Sequence, residues 1–131
     1  MAEITRPTTS TAIVDRYLAV WSEPEPTARR EAIASLWAPD GVEFVDGKQF
    51  HGHEELQMRV AEAYEQFVGS GLYTVASAAD ATTHGNIVMF TIRLVSRNDE
   101  TAWAARVFLV LDEDGLISQD YHVTVQTLGA Q

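Results

Sequence analysis

Asp120-Tyr121-His122, close to the C-terminal end, is the stretch of this chain with the clearest capacity for chemistry. On an extended strand, alternation sends Asp120 and His122 to one face and Tyr121 and Val123 to the other. An acid and an imidazole on one wall can hold a proton and pass it on. On the preceding strand the same alternation groups Ala104, Arg106 and Phe108 on one face and Trp103, Ala105, Val107 and Leu109 on the other. A tight hairpin through Asp112-Glu113-Asp114-Gly115 then brings Arg106 opposite or nearly opposite Asp120 and His122, where a guanidinium would keep the carboxylate ionised. In that arrangement Asp120 is the candidate base and His122 a proton shuttle or carbonyl-polarising group. Tyr17, on an N-terminal helix, is a hydrogen-bond donor to a developing enolate. The reaction this suits is proton abstraction beside a carbonyl, followed by isomerisation, ring closure or loss of water. A plainer reading stands beside it: Arg106 and Asp120 as a cross-strand ion pair on a solvated face, Tyr17 as core, and Asp46-Gly47 as a turn.

These residues need elements to hold them. Ile13, Val14, Tyr17, Leu18 and Trp21 fall on one face of a helix that starts near Ser10 or Thr11. Pro24-Glu25-Pro26 breaks it, and Thr27 can cap a second helix with the buried stripe Ile33, Leu36 and Trp37, stopped by Pro39-Asp40-Gly41. Val42 to Val45 reads as a short strand running into Asp46-Gly47, and Lys48 to His51 as a polar link. Gly52 opens a third helix carrying Leu56, Val60, Ala63, Tyr64 and Phe67, ended by Gly69-Ser70-Gly71. The rest reads as sheet: Tyr73 to Ala79, a turn at Thr83-His84-Gly85-Asn86, then two long strands, Ile87 to Ser96 and Thr101 to Leu111, and a final hairpin strand. Helices followed by a meander of strands make an α+β protein, expected as a single domain over 10–127 with a flexible arm over 1–9.

Composition narrows the function classes. Nine basic against nineteen acidic residues leave a net charge of -10, and Lys48 is the sole lysine. Phosphate-binding surfaces are built from clustered Lys and Arg, so neither nucleic acid nor an anionic membrane is an expected partner. With no cysteine there is neither disulfide nor thiolate chemistry. The first thirty residues lack a basic start followed by an apolar run, so no signal peptide or membrane span is expected and the cytoplasm is the expected location. His51, His53 and Glu54 sit close together, but no second group of ligands accompanies them, and a loop with a helix cap suits them better than a metal. No cofactor is expected.

Asp15-Arg16-Tyr17-Leu18-Ala19-Val20-Trp21, Leu36-Trp37-Ala38-Pro39-Asp40-Gly41-Val42, Phe50-His51-Gly52-His53-Glu54-Glu55-Leu56 and Asp114-Gly115-Leu116-Ile117 resemble stations of SnoaL-like proteins, over roughly residues 11 to 126. Those proteins belong to the nuclear transport factor 2-like superfamily. The resemblance implies a curved antiparallel sheet wrapped around a long helix, a cone whose open end admits a small hydrophobic molecule, and a homodimer paired through the outer face of the sheet. Trp21, Trp37 and Phe108 are then the expected pocket lining, although tryptophans at periodic positions are more often core. Two mechanisms known in the family can be laid on the chain. The ketosteroid isomerase pattern matches at Tyr17, falls one residue short of Asp46, and lacks its third acid near Arg106 or Val107. The polyketide cyclase pattern implies Asp120 as acid and base, with Arg106 near the place of its polar partner. Both point to a cofactor-independent isomerase, cyclase or lyase, and the fold equally serves non-catalytic ligand binders and dimerisation modules.

Overall fold

A computed structural model describes residues 9–128. Of the expected N-terminal arm, Thr9 already belongs to the first helix and the remainder lies outside the described residues. Helix α1 (Thr9–Ser22) buries Ile13, Val14, Tyr17 and Trp21 of the stripe that its periodicity predicts; Val20 is buried beside them, and Leu18 is only partly buried. Helix α2 (Pro26–Leu36) starts two residues earlier than expected: Pro26 occupies its first turn, and the cap is Glu25 rather than Thr27, with its Oε1 accepting from the Ala28 N–H at 2.9 Å.

Trp37 is buried as expected, but in a strand. The backbone turns extended at Trp37, with φ -96° and ψ 145°, and β1 (Trp37–Val45) runs straight through Pro39-Asp40-Gly41. Pro39 supplies no N–H and disfavours helix in the residue before it, so the helix has already ended at Leu36. Gly41 lets this irregular stretch lie close to its neighbour, since a Cβ there would stand 2.9 Å from the Ile117 carbonyl oxygen. The chain reverses at Asp46-Gly47, both with positive φ (51° and 78°), the geometry of a tight hairpin. The expected polar link is therefore a strand, β2 (Lys48–His51), paired with β1.

Helix α3 (Gly52–Ala63) continues into a π-helical turn over Tyr64–Val68, closed by the Gly69 N–H on the Tyr64 carbonyl at 2.7 Å. Strands β3 (Tyr73–Ser77), β4 (Thr82–His84), β5 (Ile87–Ser96), β6 (Thr101–Leu111) and β7 (Ile117–Gln126) follow. Half of the expected turn at Thr83-His84-Gly85-Asn86 is thus strand β4, with His84 exposed.

The strands join in the order β2-β1-β7-β6-β5-β3, with β4 on β5. The sheet is mixed rather than wholly antiparallel, because β1 runs parallel to β7. No hairpin links those two strands; the chain between them passes through α3 and the whole meander, so nothing forces them to oppose. The architecture is three helices on a curved, open sheet. Register shifts in the β1/β7, β5/β6 and β6/β7 ladders are the local irregularities that bend a sheet and increase its twist. Its inner face, with Phe90, Ile92, Ala105, Val107, Leu109 and Ile117, shares one core with α1, α2 and α3. Among the described residues, no helix is long and apolar enough to cross a membrane.

Candidate functional site

Four polar side chains meet inside this core. Tyr17 comes from α1, Glu43 from β1, and Asp120 and His122 from β7; Tyr17, Glu43 and Asp120 are fully buried and the His122 side chain is 2% exposed. The parallel ladder sets Glu43 beside Asp120 and Val45 beside His122, so the two carboxylates share the inner face. The Tyr17 hydroxyl donates to Asp120 Oδ2 at 2.7 Å and also touches His122 Nε2. Nε2 lies 3.1 Å from Glu43 Oε2 and 3.3 Å from Asp120 Oδ1. One ring proton therefore faces three oxygens and can satisfy only one well at a time. This is why Glu43 Oε2 and Asp120 Oδ1 lack a well-directed hydrogen bond despite their nearness; on the other side of the ring, His122 Nδ1 has no partner among the described residues.

A fifth residue completes the cluster. Arg59 of α3 donates from Nε to Glu43 Oε1 at 3.1 Å. Its guanidinium lies over the rings of Trp21, 5.2 Å from the centroid, and Phe50, 5.6 Å away.

Burial and charge set the protonation. Desolvation, followed by the nearby Asp120 and Glu43 charges, holds the Tyr17 hydroxyl well above its usual range, so it remains a donor. Glu43 is raised, chiefly by burial and then by Asp120, against the opposing pull of His122 and Arg59. Burial disfavours the charged form of His122, but Asp120 and Glu43 outweigh it, and the imidazole is raised. With the imidazole protonated, two carboxylates face one imidazolium and one guanidinium, and the cluster is neutral.

The expected Asp120 and His122 wall is thus present and inward-facing, with Tyr17 across it. Arg106 is not beside it. Its ladder partner is Val123, and Val107 and Leu109 are opposite His122 and Asp120. The cause is one extra residue in β7. Leu111 pairs with Ile117 and Val110 with Gln119, which leaves Ser118 bulged, its hydroxyl donating to the Val110 carbonyl at 2.9 Å. Continued straight from the hairpin end, the register would set Arg106 opposite His122 and Phe108 opposite Asp120. The bulge shifts the pairing by one residue, which transfers both side chains to the other face. There Arg106 binds Asp80 Oδ2 at 3.0 Å and Thr91 Oγ1 at 3.2 Å, and its guanidinium lies 6.0 Å from the Phe108 ring.

A cavity of about 280 Å³ opens beside the cluster. Val75, Ile92, Leu94 and Trp103 form much of its wall, with Phe67 and Val68 brought to it by the π-helical turn. Of the expected lining, Trp21 is present; Trp37 is core, its ring 5.5 Å from Tyr17, and Phe108 is outside. Asp46 lies on the wall as an exposed turn residue. Tyr17, Glu43, Asp120 and His122 do not line the cavity. Trp21 and Arg59 do, and each also touches the cluster, Trp21 through the Tyr17 and His122 rings and Arg59 through Glu43. These two side chains form the partition between cavity and cluster.

Glu43 and Arg59 were not singled out from the sequence. Glu43 lies two residues before Val45 and so shares its inward face, and Arg59 follows Leu56 by three on α3, beside the buried stripe. Both signals exist, but each reads as an ordinary charge at the edge of an element. The histidines considered for a metal have local partners: His53 Nε2 sits 2.9 Å from the Trp37 carbonyl, and the His51 N–H donates to Glu55 at 2.7 Å.

No family model matches the sequence, and no curated protein matches it. Solved structures do. The chain superimposes with a TM-score of 0.81 on a protein of Agrobacterium tumefaciens provisionally named an isomerase of the SnoaL-like family, at 24% identity over 89% of this chain and 97% of that one. A nuclear transport factor 2-like protein of unknown function from an Exiguobacterium strain gives 0.64 at 16% identity, over 88% and 99% of the two chains. The chain has the nuclear transport factor 2-like fold. A provisionally named polyketide cyclase of Sinorhizobium meliloti shares this fold, with a TM-score of 0.65 at 17% identity over 85% of this chain and 93% of the other.

Within this nuclear transport factor 2-like interior, Glu43, Asp120 and His122 each offer a ligand atom within 4.8 Å of the others, the spacing a metal ion would need. Arg59 and a protonated His122 would balance both carboxylates, and in that state charge does not call for an ion. What the arrangement does offer is a dry, hydrogen-bonded set of groups whose protons can be redistributed with little movement.

Proposed function

We propose that this protein is a cofactor-independent isomerase, cyclase or lyase that moves a proton beside the carbonyl of a small hydrophobic compound held in the cavity. The observation that carries this reading is the buried Tyr17, Glu43, Asp120 and His122 network directly behind an open, mostly apolar cavity. Burying two carboxylates is costly, and apolar residues of similar volume would serve stability as well or better. Such a cluster beside a pocket is therefore better explained by proton chemistry than by folding. Asp120 is the base and His122 the proton carrier, with Tyr17 holding Asp120 in place; contact with the substrate requires the Trp21 side chain to swing out of the partition. The names borne by the Agrobacterium and Sinorhizobium proteins support the same class of reaction.

Deuterium exchange at the carbon beside the carbonyl of β-tetralone, followed by proton NMR, tests this. The wild type should accelerate exchange over buffer, and Asp120→Asn and His122→Gln should each lose most of that acceleration while remaining folded. Acceleration that survives both changes would refute the assignment. A second reading, a binding protein without chemistry, is favoured by one observation: none of the four network side chains reaches the cavity wall. Binding of β-tetralone with no acceleration of exchange would select it. We also propose a homodimer through the outer face of β7, where Val123 and Val125 are 52% and 59% exposed; light scattering would show a monomer if this is wrong.

A further inference from the structure

We propose that the cavity takes an amphipathic monoanion, an apolar ring system carrying one carboxylate or enolate oxygen, with its charge held by the two Nη atoms of Arg59. This deepens the reading above and rests on its assignment of the cavity as the ligand site. Among the described residues, Arg59 is the only basic side chain in the wall of that cavity. Its Nε is committed to Glu43, while among the described residues neither Nη has a hydrogen-bond partner, and the side chain is 21% exposed. The Glu43 bond and the two aromatic rings under the guanidinium fix its plane, so the fork is oriented before a ligand arrives. A planar pair of free N–H groups in an apolar pocket matches a carboxylate or enolate oxygen, and a neutral hydrocarbon would leave those donors unpaired.

The remaining charges are compatible with this. Asp46 also lies on the wall, but it is exposed at a turn, where solvent screens it. Glu43 and Asp120 lie behind the partition, where His122 and Arg59 offset them. The rest of the wall, including Ile92, Leu94 and Trp103, suits a ring system.

The test compares β-naphthoate with its uncharged methyl ester by calorimetry and by quenching of tryptophan fluorescence, since Trp21 and Trp103 line the cavity. The wild type should prefer the anion by about tenfold or more, the scale of one charge-assisted contact. Arg59→Met should abolish the preference and Arg59→Lys should keep part of it. Glu43→Gln, which removes the competing carboxylate, should tighten naphthoate binding. Equal affinities in the wild type, or a preference that survives Arg59→Met, would overturn the proposal. If Arg59→Met does not fold, Glu43→Gln decides: tighter naphthoate binding sustains the proposal, and unchanged or weaker binding overturns it. Because β-tetralone is neutral, its exchange tests the proton chemistry separately from this selectivity.

Discussion

Tyr17→Phe removes one oxygen from the sealed network and almost nothing else. The Tyr17 ring packs against Trp21, Trp37 and Phe90 at centroid distances of 6.1, 5.5 and 5.5 Å, and phenylalanine keeps all three contacts, so no cavity is created. What disappears is the 2.7 Å bond to Asp120 Oδ2 and the contact with His122 Nε2. A hydrogen bond to a charged group contributes roughly 1.5–3 kcal/mol net. Asp120 is fully buried and Oδ2 has no other partner among the described residues, so the cost belongs in the upper part of that range, about 2–3 kcal/mol. For a domain of this length, about 1 kcal/mol moves the midpoint by roughly 3–5 °C, which gives a fall of about 6–15 °C. Urea unfolding with an unchanged m-value, together with calorimetry, measures it. A loss below about 0.5 kcal/mol would refute the reasoning, because it would mean that water reaches the network and replaces the hydroxyl.

Two further outcomes follow from the same geometry. Glu43 is held above 4.5 and His122 above 6.5, so the folded protein keeps protons that the unfolded chain releases. The stability these groups contribute is fully present below those unfolded values and is lost as pH rises through the folded ones. The urea midpoint should therefore fall as pH rises above about 4.5 and again as it rises above about 6.5, with Glu43→Gln removing the first fall; a midpoint that climbs with pH there would contradict the protonation described here. Arg106 and Asp80 are each more than a third exposed, so Arg106→Ala should cost well under about 1 kcal/mol and leave both β-tetralone exchange and naphthoate selectivity intact. A loss of either activity beyond about threefold would return Arg106 to the site.

Much of this molecule could be read from local pattern. The spacing of Ile13, Val14, Tyr17 and Trp21 defines α1, and the apolar runs define β5 and β6 with the same ends that the structure shows. The two-residue period on β7 places Asp120 and His122 together, because that alternation depends only on the strand being extended. Four stretches of the sequence also pointed to the correct fold, although overall identity to the solved relatives is low.

The partners of Asp120 and His122 were decided elsewhere. A hairpin count assumes one residue opposite one residue, and Ser118 breaks that assumption, so Arg106 and Phe108 leave the interior by a single step of register. Their place beside the acid and the imidazole is taken by Glu43, from a strand that lies 77 residues earlier by the numbering and joins β7 in parallel with no hairpin to announce it. Arg59 arrives from a third element and turns an apolar cavity wall into one with a fixed cation. The sequence by itself determined the three helices and the long strands, and which side chains share a face on them, since those follow from local periodicity; the short strands β2 and β4 carry too little pattern to be read that way. Which charged groups meet in the interior follows from strand order, one bulge and the packing of α3, and these depend on contacts between residues far apart in the chain, which only the tertiary structure decides.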